Sequence, residues 1–340
     1  MTTPFRRAAL LFFLATTPLY AHHSPIIFDM GATISLEGRV TRVDWTNPHV
    51  YIHVETTDSA GRTAEWQLET DAVPILLRNG WTRESLTAGD LVSVQANPDR
   101  LTNRAHALMI SIEKEDGSIL TPVSGGTSTL SEVSVTNSLA GIWEQGLEDF
   151  ERFRAAGLLV STTPRGTAAQ ESYEIRTENP AAQCIAYPSP MIVALPQYLN
   201  EITIFDDRVT IHSEFLDVER VIYTDGRTHP ENGPRTPQGH SIGRLEGNVL
   251  EVETTLFADN RSTMPGTGLP SGAQKRVLER YELSEDGTRI SIELLLEDPE
   301  YLAEPFAGTL EWRLSTYEEI SAVGCTLDQA TRFMTAPTLP

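Results

Sequence analysis

The sequence predicts an all-β protein, a small OB-like barrel followed by a larger antiparallel barrel or sandwich. Three observations carry that expectation. Apolar and polar residues alternate in many short runs, the pattern of half-buried strands. Turn signals built on Gly, Asp and Asn separate the runs closely, as in barrels and sandwiches. The chain of 340 residues is 40% hydrophobic with 23 Gly and 21 Pro, turn-rich yet apolar enough to offset chain entropy. At roughly 150 residues per domain, the length suits two domains.

Each element follows in order. Arg6 and Arg7 precede a short apolar run over 8–15, and small residues lead to Ala21. That is the order of a secretory signal peptide, and the run is shorter than the about 20 residues a spanning helix takes. Residues 1–21 are therefore expected to direct export to the periplasm or beyond, with cleavage near Ala21 and no membrane span. In the expected first domain, 22–118, Ile34, Leu36, Gly38 and Val40 alternate and the phase slips before Val43 and Trp45. Asn47-Pro48 makes a turn, Val50, Ile52 and Val54 a second strand, and Ala64, Trp66 and Leu68 a third. A short helix over 72–79 stops at Gly80, a further helical turn covers 82–86, and strands follow at 91–94 and 107–113. Three strands, a helix and two strands is the OB element order, with SH3-like closure as the alternative.

Residues 119–138, rich in Ser, Thr and Gly, read as a linker. The second domain, 139–335, opens with a strand at 139–143 and a helix at 147–157. Strands are expected at 191–195, 201–205, 209–213, 219–223, 241–245, 249–255, 276–283, 289–296 and 309–314. Asp206-Asp207, Asp225-Gly226, Gly247-Asn248 and Asp286-Gly287 supply turns between them.

Four stretches, His22-His23-Ser24, Leu36-Glu37-Gly38, Trp45-Thr46-Asn47-Pro48-His49 and Gly80-Trp81-Thr82, resemble a family of exported bacterial proteins of unknown function with a small barrel; they cover most of 22–115. Tyr223-Thr224-Asp225-Gly226-Arg227, His229-Pro230, Gly239-His240-Ser241-Ile242-Gly243-Arg244 and Glu297-Asp298-Pro299 resemble a domain that similar exported proteins carry. Gly141-Ile142-Trp143 is similar to the Gly-x-Trp opening of lipocalin-like barrels. The resemblance implies export and a lipocalin-like second barrel, and brings no established activity.

Lys and Arg number 26 against 47 Asp and Glu, a net charge of -21. Such a field repels phosphate backbones and anionic lipid, so nucleic acid and membrane surfaces are not expected partners. A small, partly apolar molecule is, in the second barrel or between the domains. In an oxidising compartment Cys184 and Cys325, the sole cysteines, are expected to pair, closing a loop whose entropy is worth at most about 5 kcal/mol.

Two constellations offer chemistry. Cleavage after Ala21 would leave His22-His23 at a free amine, and with His49 beyond the Asn47-Pro48 turn these nitrogens suit copper, preferably Cu(II). Between Tyr223 and Arg244 the loop gathers Asp225, Arg227, His229 and His240. A lyase or hydrolase would use His240 as general base, Asp225 to orient it, and Arg227 or Arg244 to hold an anion or developing oxyanion. Gly239-His240-Ser241-Ile242-Gly243 spells the nucleophile-elbow pattern, but the apolar residues after it continue as strand where that motif needs a helix. Ligand binding leads these readings, with the enzyme and copper readings as alternatives.

Overall fold

The computed structural model describes residues 27–122, 134–261 and 267–339. The expected signal segment, and with it His22 and His23, lies outside them.

β1 (Ile34–Asp44), β2 (Tyr51–Thr57) and β3 (Thr63–Glu69) form a meander, followed by α1 (Val73–Arg78), β4 (Leu91–Pro98), β5 (His106–Lys114) and the short β6 (Ile119–Leu120). β4 pairs with β1, and β5 pairs in parallel with β3 through Gln67 and His106, so the order β3-β2-β1-β4-β5 closes on itself. This is five-stranded closure of OB type. The phase slip read in the sequence is a β-bulge: the register of β1 on β2 shifts between Val40 and Arg42, bending the strand around the barrel. Gly38 marks a close approach of the two strands, since a Cβ there would lie 2.2 Å from the Glu55 carbonyl oxygen. Residues 82–86, expected as a helical turn, form a hydrogen-bonded turn in which Thr82 N donates to Ser85 Oγ; the hydroxyls compete with helix for the backbone.

The second barrel comprises nine strands among the described residues: β7 (Gly141–Gln145), β8 (Leu199–Ile204), β9 (Arg208–Ser213), β10 (Val218–Tyr223), β11 (His240–Glu246), β12 (Val249–Thr255), β13 (Arg276–Leu283), β14 (Arg289–Glu297) and β15 (Phe306–Leu314). They neighbour one another in chain order and β15 returns to β7, so the sheet is a closed barrel and not a sandwich. An odd number of strands cannot alternate direction all the way round a ring. One pair must run parallel, and it is β10 with β11, Ile222 opposite Ser241. The polar loop 224–239 makes this possible by leaving beside β10 and returning beside it.

α2 (Leu147–Gly157), α3 (Pro164–Glu171) and α4 (Ile175–Glu178) stand between β7 and β8. The sequence reading lacks the last two because neither shows an apolar stripe; α3 buries only Gly166. A strand was expected at 191–195, but this segment is a buried 3-10 turn, Ile192–Ala194. Pro188, Pro190 and Pro196 flank it and remove the N–H groups a ladder needs. It packs against the barrel's inner face: the Trp312 indole donates to the Val193 carbonyl, and Ser189 Oγ to Glu279.

After β15 the chain continues through α5 (Leu327–Ala330) and a 3-10 turn, Arg332–Thr335, onto the first barrel. Arg104 donates to the carbonyls of Phe333 and Met334, Ala105 N to Pro337 O, and Leu339 N to Asn103 O. Cys184 and Cys325 form a disulfide at the root of this segment, their Cα atoms 5.6 Å apart. Among the described residues no helix is long and apolar enough to cross a membrane.

Candidate functional site

The second barrel carries a broad depression of about 870 Å³ on the outer face of β11 to β15. Strand alternation explains its lining. On these strands Leu250, Val252, Val277, Tyr281, Ile290, Ile292, Leu310 and Trp312 point into the core, so the intervening residues face outward. Register aligns those residues into rows. Ile242, Glu253, Leu278, Leu295 and Ala307 are successive cross-strand partners and make a largely apolar row. One step along, Arg244, Glu251, Arg280, Glu293 and Thr309 make a row of alternating charge, the favourable arrangement for neighbours on a sheet face. The depression therefore offers apolar contact beside guanidinium and carboxylate groups.

The polar loop borders one end of it. His240 shares the outer face of β11 with Ile242 and Arg244, and Tyr223 is the parallel partner of Ile242. Arg227 lines the depression, lies 3.8 Å from the centre of the Tyr223 ring, and grips Asp225 through two nitrogens. That grip, chiefly its side-chain hydrogen bond, holds the Asp225 carboxyl down to about 2. The expectation that Asp225 orients His240 is not what the geometry gives: the partner of His240 is His229, with the two Nδ1 atoms 2.8 Å apart. His240 also stacks on Tyr223, ring centres 5.4 Å apart. Burial lowers the pKa of both imidazoles, aided at His229 by the neighbouring His240 and at His240 by Arg227. Arg244 pairs with Glu246 in solvent. Ser241 points inward and hydrogen-bonds Arg220 and Thr254, and the chain around it is strand, so no nucleophile elbow forms.

On the first barrel His49 is buried, with Nδ1 2.9 Å from the Thr70 carbonyl and 3.6 Å from a Glu69 oxygen. It lines a near-closed cavity of about 10 Å³ between the barrels with Ile27, Glu69, Ile175 and Phe333. Nearby, His106 is fully buried between Asp99 and Glu69, at 3.0 and 3.4 Å. Burial alone would push its pKa down, yet the two carboxylates raise it. Of the three residues expected to hold copper, His49 alone lies within the description. Among the described residues no group of three or more His, Cys, Asp or Glu is placed to hold a metal ion.

Residues 11–108 match a family of unknown function, DUF6152. No curated protein matches the chain. Among solved structures, the fluorescent protein UnaG aligns at 12% identity over 52% of this chain and 97% of its own, with a TM-score of 0.26; a mutant of it aligns at 13% with the same score. The mitochondrial single-stranded DNA binding protein Rim1 of S. cerevisiae aligns at 19% identity over 26% of this chain and 81% of its own, with a TM-score of 0.18.

Of the depression, the sequence singles out Arg227 and Arg244 but not the floor. A signal was present. Leu294-Leu295-Leu296 breaks the alternation of β14, and Leu278 stands where β13 should be polar, so each puts a leucine on the outer face. Also missed was a polar cluster inside the barrel. Arg220 makes a two-pronged pair with Glu279 and donates to Ser241 and Thr254, while Lys275 donates to the Ser189 carbonyl at 2.7 Å and lies 4.0 Å from the centre of the Phe257 ring.

Proposed function

We propose that this is an exported protein that binds a small, partly apolar molecule in the depression outside β11 to β15. The observation that carries the reading is the pair of aligned rows, one apolar through Ile242, Leu278 and Leu295, the other charged through Arg244, Arg280 and Glu293. Its volume lies within the range of small-molecule sites. The apolar row would take the body of the ligand and the arginines an acidic group. The barrel interior is a poorer candidate because Trp143, Tyr281, Trp312 and the 3-10 segment fill it. Export is supported by the disulfide, which favours an oxidising compartment.

The test uses anilinonaphthalene sulfonate, an apolar anion whose fluorescence reports binding. The wild type is expected to bind it saturably. Leu278→Glu and Leu295→Glu are expected to weaken binding about tenfold or more, as loss of one buried leucine contact predicts, while the melting transition stays cooperative and within about 0.5 kcal/mol, as for other surface changes. Unchanged binding in both variants would remove the depression as the site.

A further inference from the structure

The loop between β10 and β11 is held down unequally. Its second half is pinned through backbone and side-chain bonds: Thr236 N donates to Leu256 O, Ala258 N to Thr236 O, the Arg235 guanidinium to Gly272 O and the Gln238 side-chain amide to Tyr187 O. In its first half, 225–234, every residue is exposed except His229 and Gly233. Gly233 backs onto Leu256. Among the described residues, the side-chain contacts that tie this half to the strands are Arg227 on Tyr223 and His229 on His240.

The second of these contacts depends on a proton. Two Nδ1 atoms at 2.8 Å share a hydrogen bond only if one carries hydrogen and the other a lone pair. When both imidazoles are protonated, both nitrogens are donors and both rings are cations, so attraction becomes repulsion. The surrounding charges are mixed. Glu253 on β12 favours a cationic His229, but it is engaged by Arg276 of β13 at 2.8 Å, which also pairs with Glu297. Arg227 opposes a cationic His240 and is itself paired with Asp225, with Asp207 nearby. Tyr223 stacks on the His240 ring.

We propose that residues 225–234 form a flap latched by the His229–His240 contact at neutral pH and released when both rings are protonated. Release withdraws Arg227 from the wall of the depression, so an acidic ligand group held there loses a partner in acid. That consequence rests on the ligand-binding reading above; the latch itself does not. Both rings are shifted below the ordinary imidazole value of about 6.5, so the latch holds at neutral pH and yields on acidification.

Hydrogen exchange followed by mass spectrometry on the processed full-length protein tests the latch without any ligand. Between about pH 7.5 and about pH 5, after correction for intrinsic rates, protection of the Arg227 and Gly233 amides, the amides of 225–234 that have an acceptor among the described residues, is expected to fall about tenfold or more, the size of one pKa unit of coupling. Protection of 235–239 should hold. His229→Gln and His240→Gln, which cannot gain the second proton, should abolish the step. Equal corrected protection at both pH values in the wild type overturns the proposal, as does a step that persists in both variants. A second readout is imidazole NMR: two rings titrating independently near 6.5 also overturn it. Failure of dye binding with the latch intact would refute the ligand site alone.

Discussion

Lys275 is 2% exposed, and its ammonium has hydrogen bonds to Ser189 and Ser271 but no carboxylate within ion-pair distance among the described residues. Burial pushes its pKa down to about 7, against an upward pull from Asp298 and Glu279. The sign of the linkage follows. Between about 7 and the ordinary lysine value of about 10.4, the unfolded chain binds a proton that the folded chain does not, so stability rises with pH, by at most about 1.4 kcal/mol per unit. The contribution is fully present above the unfolded value and lost as pH falls through 7. Urea unfolding at several pH values across this window should show the rise in the wild type and lose it in Lys275→Met; an unchanged slope in the variant would assign it to other groups. In the sequence, Gln274-Lys275-Arg276 is indistinguishable from an ordinary polar turn, because nothing local says that this amine will meet Ser189.

At the scale of elements, β1 shows how a strand is bent to close a small barrel. The slip after Val40 was legible as a break in alternation and is the bulge, whereas Gly38, which reads as one more member of the alternation, is the close approach to Glu55. Gly38→Ala is expected to cost about 1–3 kcal/mol, since overpacking has to displace backbone here. Loss of protection in 34–114 by hydrogen exchange would locate the effect; unchanged stability would mean that β2 yields without cost. α1 was legible as an element but not as a junction. Leu76 enters the first core while Ala72 and Ile75 enter the second, and Arg78 makes a two-pronged pair with Glu214, which is fully buried.

For the whole molecule, the disulfide does more than close a loop within the second barrel. Cys325 roots the segment 326–339, which lies along the first barrel through Phe333, Pro337 and Leu339 and places Arg332 2.9 Å from Asp44. Arg176 adds a pair to Asp99 at 2.5 Å. Reduction, or Cys184→Ser with Cys325→Ser, is therefore expected to weaken the hold between the barrels, with the loop-entropy term setting an upper figure of about 5 kcal/mol. Limited proteolysis should then cut within 326–339 before either barrel. If the oxidised and reduced proteins are cleaved alike, the segment does not depend on its covalent root.

The sequence by itself determined the all-β class, most of the strands in both barrels, the pairing of Cys184 with Cys325 and the presence of a long polar loop, because alternation, turn residues and cysteine count are local properties of the chain. Tertiary structure decided the rest. An odd ring of strands made β10 and β11 parallel, the Trp312 indole took the Val193 carbonyl and made 191–195 filling for the barrel, and cross-strand register set Leu278 beside Leu295 and Arg244 beside Glu251. His229 reached His240 because which side chains meet across a barrel depends on closure and register, and both are settled by residues far apart in the chain; Asp225 turned instead to Arg227, two residues along the same loop.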